Sequence, residues 1–91
     1  MNYYIYVLHS LKDGKFYTGY TNNLKQRLQA HTLGKVDSTK NRRPFRLIYF
    51  EGCFNQDDAL KREKYLKSTY GKRYLKNRNT NYLQTNEYFT G

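Results

Sequence analysis

The chain has 91 residues, enough for one small domain with a modest core. Its 17 Lys and Arg against 7 Asp and Glu leave a formal charge of +10, which favours a polyanionic partner, nucleic acid first. The single cysteine excludes an intramolecular disulfide and predicts a reducing, cytoplasmic setting, and no apolar run approaches the roughly 20 residues of a membrane span.

Met1 to Leu8 has no basic lead and is rich in β-formers, so it reads as a strand and not as a signal peptide. Lys12-Asp13-Gly14-Lys15 carries the Asp-Gly hairpin dipeptide, and Phe16 to Tyr20 returns as an antiparallel strand. Gly19 inside that strand marks a bulge or a close backbone approach. Thr21 or Asn22 can cap a helix that runs to about Leu33, with Leu24 and Leu28 on its buried side and Gly34 stopping it.

Lys35 to Arg43 reads as a basic loop, and Pro44 opens a third strand, Phe45 to Phe50. Asn55-Gln56-Asp57-Asp58 resembles a capping box and starts a helix expected to reach about Tyr70, ended by Gly71. Lys72 to Arg78 suggests a short last helix. The tail from Asn79 is polar and expected to be loose, with Tyr82, Leu83 and Phe89 able to dock. The order β-β-α-β-α, with a third helix possible at the end, predicts one α+β domain over 1–91, with its core at about 3–78 and a polar tail at 79–91. A three-stranded antiparallel sheet flanked by helices is the natural solution.

Glu63 is out of place in this pattern. At about 100° per residue it falls among Ala59, Leu66 and Tyr70, the apolar stripe of its helix. A lone carboxylate there costs several kcal/mol unless it is paired or holds a metal. Arg27 and His31, about one turn apart on the first helix, flank the Leu24–Leu28 stripe. Each by itself suits an edge arginine or a packed histidine, but with Glu63 they suggest a polar site facing the sheet. Tyr6 and Tyr17 come side by side across the hairpin, and a phenol there can orient water or take its proton. Tyr6, Tyr17, Arg27, His31 and Glu63 are therefore expected to line one surface groove.

Tyr4-Ile5-Tyr6, Tyr17-Thr18-Gly19, Arg27, His31 and Glu63 within Ala59 to Lys67 occur in an order and spacing that resembles the GIY-YIG nuclease family. The likeness is to small stand-alone members, themselves similar to the nuclease domain found in excinuclease, and it spans roughly Tyr3 to Arg78. The first motif's glycine is Tyr4 here, and the second motif's isoleucine is Thr18. The resemblance implies the same three-stranded antiparallel sheet and metal-dependent cleavage of phosphodiester bonds. It implies catalytic roles for Tyr6, Tyr17, Arg27 and His31, and a single metal ligand in Glu63. It also implies a site-closing role for Asn77.

The expected activity is thus a DNA endonuclease of repair or recombination with one Mg²⁺ or Mn²⁺ ion, acting on DNA ahead of RNA, with no membrane partner. Lys40, Arg42, Arg43, Arg46, Lys67, Lys72 and Arg73 are expected to hold the phosphate backbone, which carries affinity without sequence information. The alternatives are a non-catalytic nucleic-acid-binding module of the same fold and a basic protein docked on ribosomal RNA or a protein partner.

Overall fold

The computed structural model describes residues 1–85; Phe89 lies outside the described residues. Three strands form one antiparallel sheet in the order β2-β1-β3, from β1 (Tyr3–Ser10), β2 (Phe16–Thr21) and β3 (Phe45–Cys53). Helix α1 is Leu24–Thr32, a 3₁₀ turn covers Lys40–Arg42, and α2 (Gln56–Lys67), α3 (Thr69–Arg78) and α4 (Thr80–Thr85) follow the sheet.

β1 is the central strand, and its two faces do different work. Ile5 and Val7 pack with Ala59, Leu66 and Leu75, which places α2 and α3 on that face. Tyr6 points to the other face, where α1 covers it. In the β1–β2 register Tyr6 stands opposite Gly19 and Leu8 opposite Tyr17, so Tyr6, Tyr17 and Gly19 share the α1 face. The turn residue Gly14 takes a φ of +74°, which favours glycine.

Local chemistry fixes the helix ends. Asn23, one residue beyond the expected cap, accepts the Gln26 N–H and starts α1, while the Thr21 hydroxyl accepts the Asn23 N–H. Gly34, at φ +74°, turns the chain after α1. Leu24 and Leu28 are only half-buried, and His31 is the fully buried residue of the helix.

The helix carrying Glu63 is shorter than expected. It ends at Lys67, because Ser68 adopts an extended ψ of 168° and caps the next helix by accepting the Gly71 N–H. Tyr70 therefore belongs to α3 and is exposed. Gly71 lies inside α3 instead of ending α2. A Cβ there would run into the Tyr65 carbonyl and stand 2.7 Å from the Leu66 carbonyl carbon, so the sharp α2–α3 corner requires glycine. The tail also departs from expectation: Thr80 to Thr85 is helical, and the Tyr82 hydroxyl lies 2.5 Å from His9 Nδ1.

Candidate active site

The strand face under α1 holds a chain of four polar groups. Tyr6, with no exposed surface, puts its hydroxyl 2.7 Å from His31 Nε2, and His31 Nδ1 lies 2.7 Å from the Thr39 hydroxyl. Thr39 in turn donates to the Val36 carbonyl at 3.4 Å. That leaves the Thr39 oxygen to accept from Nδ1–H, which makes Nε2 the unprotonated nitrogen and the acceptor for the Tyr6 O–H. Arg27 Nε donates to the same Tyr6 oxygen through a longer contact of 3.4 Å. Tyr17 completes the set, its ring centred 5.3 Å from His31 and 6.4 Å from Tyr6.

The electrostatics follow from burial and Arg27. Burial, then the Arg27 charge, push the His31 pKa down to about 4, so the ring is neutral at ordinary pH. Burial pushes the Tyr6 phenol up, the Arg27 hydrogen bond opposes it, and the charges of Tyr17 and Glu63 reinforce it. The hydrogen bond from Arg27 to Tyr6 raises the guanidinium's own pKa. The phenol thus stays protonated, with a neutral base behind it and a cation in front.

This pattern has a consequence for stability. An unfolded histidine takes up its proton as pH falls through about 6.5, whereas folded His31 resists until about 4. Between those values the unfolded state binds more protons, so stability falls as pH drops through the window and levels off below it. Burial lowers the pKa of His9 too, which adds in the same sense. Urea titrations at pH 7 and pH 4.5 are expected to differ by on the order of 2 kcal/mol, with the acid sample weaker. Equal midpoints would mean that His31 is already charged in the fold.

Gly19 is the floor of the site. A Cβ there would fall on the hydroxyl end of Tyr6, so the close approach anticipated at this position is made by the Tyr6 ring. Gly19→Ala is expected to cost about 1–3 kcal/mol as an overpacked core position and to lift Tyr6 away from His31. Thermal melts and a weakened His31–Tyr6 hydrogen bond in NMR spectra check both effects.

Glu63 comes to this site from elsewhere. α2 crosses β1 and β2 on the face opposite α1, so the two helices approach the sheet from different sides. The Tyr6 hydroxyl nevertheless lies over Gly19 on the edge strand, and the Glu63 charge is felt there. The Glu63 side chain is about one-fifth exposed, and its ion-pair partner is Lys67, 3.3 Å away and more than half exposed. Glu51 differs, since Arg62 and the Tyr49 hydroxyl satisfy its two oxygens. Among the described residues no group of three or more His, Cys, Asp or Glu could hold a metal. Glu63 still fits a single hard cation, which binds through one or two carboxylates plus water and phosphate oxygens. The exposed Lys67 ammonium marks a place where positive charge is already favoured.

Of the five residues expected to line one groove, four cluster under α1: Tyr6 and His31 are buried, because a core short of aliphatic residues uses them as packing, and Tyr17 and Arg27 are half-buried beside them. Glu63 departs from that expectation, since it is half-buried on α2, which packs on the other face of the sheet. Asn77 is exposed on α3, its carbonyl accepting the Thr80 hydroxyl, and no contact among the described residues ties it to Tyr6 or His31.

The basic residues are unequal. Arg42 pairs with Asp13 at 2.7 Å, and Arg43 donates to the Lys40 and Thr32 carbonyls, so both help to hold the loop. Lys40 stands 3.6 Å from Asp37, Arg73 lies over the Tyr70 ring, and Arg46 and Lys72 are exposed. Thr39 escaped the sequence reading, since a threonine in a basic loop gives no local sign that it will be buried against a histidine.

A three-stranded antiparallel sheet carrying this tyrosine, histidine and arginine cluster defines a small α+β domain of nuclease type. The chain belongs to the GIY-YIG family: the profile of the GIY-YIG catalytic domain matches residues 2–85. It is similar to the UPF0213 protein CPE1444 of Clostridium perfringens, 45% identical over 65 residues, or 70% of this chain and 69% of that protein. A UPF0213 protein of Pediococcus acidilactici, in the ldhD 5′ region, is 43% identical over 81 residues, 82% of each chain. The solution NMR structure of the UPF0213 protein BH0048 from Bacillus halodurans has 34% identity and a TM-score of 0.53, covering 98% of this chain and 92% of that one. The family implies a nucleic-acid substrate. No helix among the described residues is long and apolar enough to cross a membrane.

Proposed function

We propose that this protein is a metal-dependent endonuclease that hydrolyses phosphodiester bonds in DNA. The observation that carries the reading is the Tyr6 hydroxyl, held between a neutral His31 of fixed tautomer and the Arg27 guanidinium. A domain that only binds nucleic acid needs surface cations, and packing alone does not call for a guanidinium aimed at the Tyr6 oxygen.

Arg27 lies half-buried over the Tyr6 oxygen through a long and easily exchanged contact. Swinging onto a phosphate, it would expose the phenol and stabilise charge in the transition state, as preorganised arginines do. Water would then lose a proton to the Tyr6 oxygen while Tyr6 passes its own proton to His31 Nε2. The imidazolium so formed keeps its Nδ1–H on Thr39. Tyr17 would help to position the water. Glu63 would hold one Mg²⁺ or Mn²⁺, which supplies charge neutralisation at the leaving oxygen.

The test is a cleavage assay over nicked, branched, duplex and single-stranded DNA and matching RNA, in Mg²⁺, Mn²⁺ or EDTA. Metal-dependent cutting of at least one DNA structure is expected, and EDTA should abolish it. Binding without cutting on any substrate would leave the non-catalytic module as the better reading.

A further inference from the structure

Two clefts on the α3 side of the sheet join into one cationic trough. The larger, about 680 Å³, lies between the β1–β2 turn and α3, and the smaller, about 260 Å³, continues along β2 to Tyr17; Phe16 and Lys72 border both. Lys72 and Lys76 are one helical turn apart, so they present their ammonium groups on one face of α3. Lys15 and Arg42 line the far end, and Lys67, the ion-pair partner of Glu63, lines the near end. The only carboxylate among these lining residues is Asp13, and Arg42 holds it well below the usual carboxylate range. Asp13 is therefore already neutralised by Arg42, and Lys15, Lys72 and Lys76 have no ion pair among the described residues. A drawn-out row of cations with an aromatic border suits a succession of phosphates better than a compact anion.

We propose that this trough carries the nucleic-acid strand flanking the phosphate presented to Arg27 and Tyr6. The strand enters beside the Glu63–Lys67 pair, follows the outer edge of β2 and leaves over the β1–β2 turn. Lys40, Arg43 and Arg46, which sequence alone ranked with Lys72, do not line it. The proposal rests on the reading that the partner is nucleic acid, and it does not require cleavage.

Salt dependence of binding, measured by fluorescence anisotropy in EDTA on a labelled single-stranded DNA, tests it. Lys72→Gln with Lys76→Gln removes two trough cations, and Lys61→Gln with Lys64→Gln removes two exposed ones on the outer side of α2. Glutamine is a good helix former, so all four exposed positions should keep their helices. The first pair is expected to reduce the log–log salt slope by about 1.4, and the second by less than half of that. Equal reductions, or none from the first pair, would overturn the trough. Wild-type protein that binds with the expected slopes but never cuts would leave the trough standing and overturn the endonuclease reading. Protein that cuts while both pairs lose slope equally would do the reverse.

Discussion

Tyr6→Phe is expected to lower the single-turnover cleavage rate by about 10²- to 10⁴-fold, the usual range for a positioned proton-transfer group. The ring still fills its place against Gly19 and under α1, so the fold should survive. What is lost is the hydroxyl that joins His31 Nε2 to Arg27. His31 then keeps a buried acceptor without its partner, at a cost of about 1–3 kcal/mol. Thr39→Val strands the opposite nitrogen, Nδ1–H, and should cost a similar amount while leaving the phenol in place. Melting temperatures and rates on both variants separate the two roles. A Tyr6→Phe protein that cuts at the wild-type rate would remove Tyr6 from the chemistry.

Glu63→Ala is expected to abolish cleavage at every Mg²⁺ or Mn²⁺ concentration while changing stability little. Its ion pair with the exposed Lys67 is an i, i+4 surface pair, a type that contributes roughly 0.3–0.5 kcal/mol. Removing a carboxylate from the margin of the core offsets even that. Glu51→Ala provides the contrast. It strands Arg62 and the Tyr49 hydroxyl, so about 1–3 kcal/mol of stability should go, with no ligand lost from the site. Denaturant titrations with single-turnover rates compare the two carboxylates directly. Loss of stability in Glu63→Ala as large as that in Glu51→Ala would make Glu63 a structural residue.

Much of the fold was legible in the sequence because its cues are local. Asp13-Gly14 announced the hairpin, Gly34 the end of α1, and the β-formers from Tyr3 to Leu8 the first strand. The errors fell where a local cue could be read in two ways. Gly71 has the form of a helix stop, yet its role is to let α3 pack tightly against the end of α2. The polar tail gave no sign of the helix over Thr80–Thr85, while Tyr82, one of its residues expected to be able to dock, does so against His9, 73 residues earlier in the chain.

The sequence by itself determined the α+β class and the basic character, and it singled out Tyr6, Tyr17, Arg27, His31 and Glu63 as candidates, since residue type, order and helical period are all written along the chain. Tertiary structure alone decided how these groups act on one another. Thr39 fixes the His31 tautomer across a loop, burial and Arg27 keep that ring neutral, and Gly19 makes room for the Tyr6 hydroxyl. It also decided that Arg62 closes on Glu51 and leaves Glu63 paired with the exposed Lys67. Hydrogen bonding and desolvation depend on which atoms lie within a few ångströms and on how much water is excluded, and only the folded chain sets either quantity.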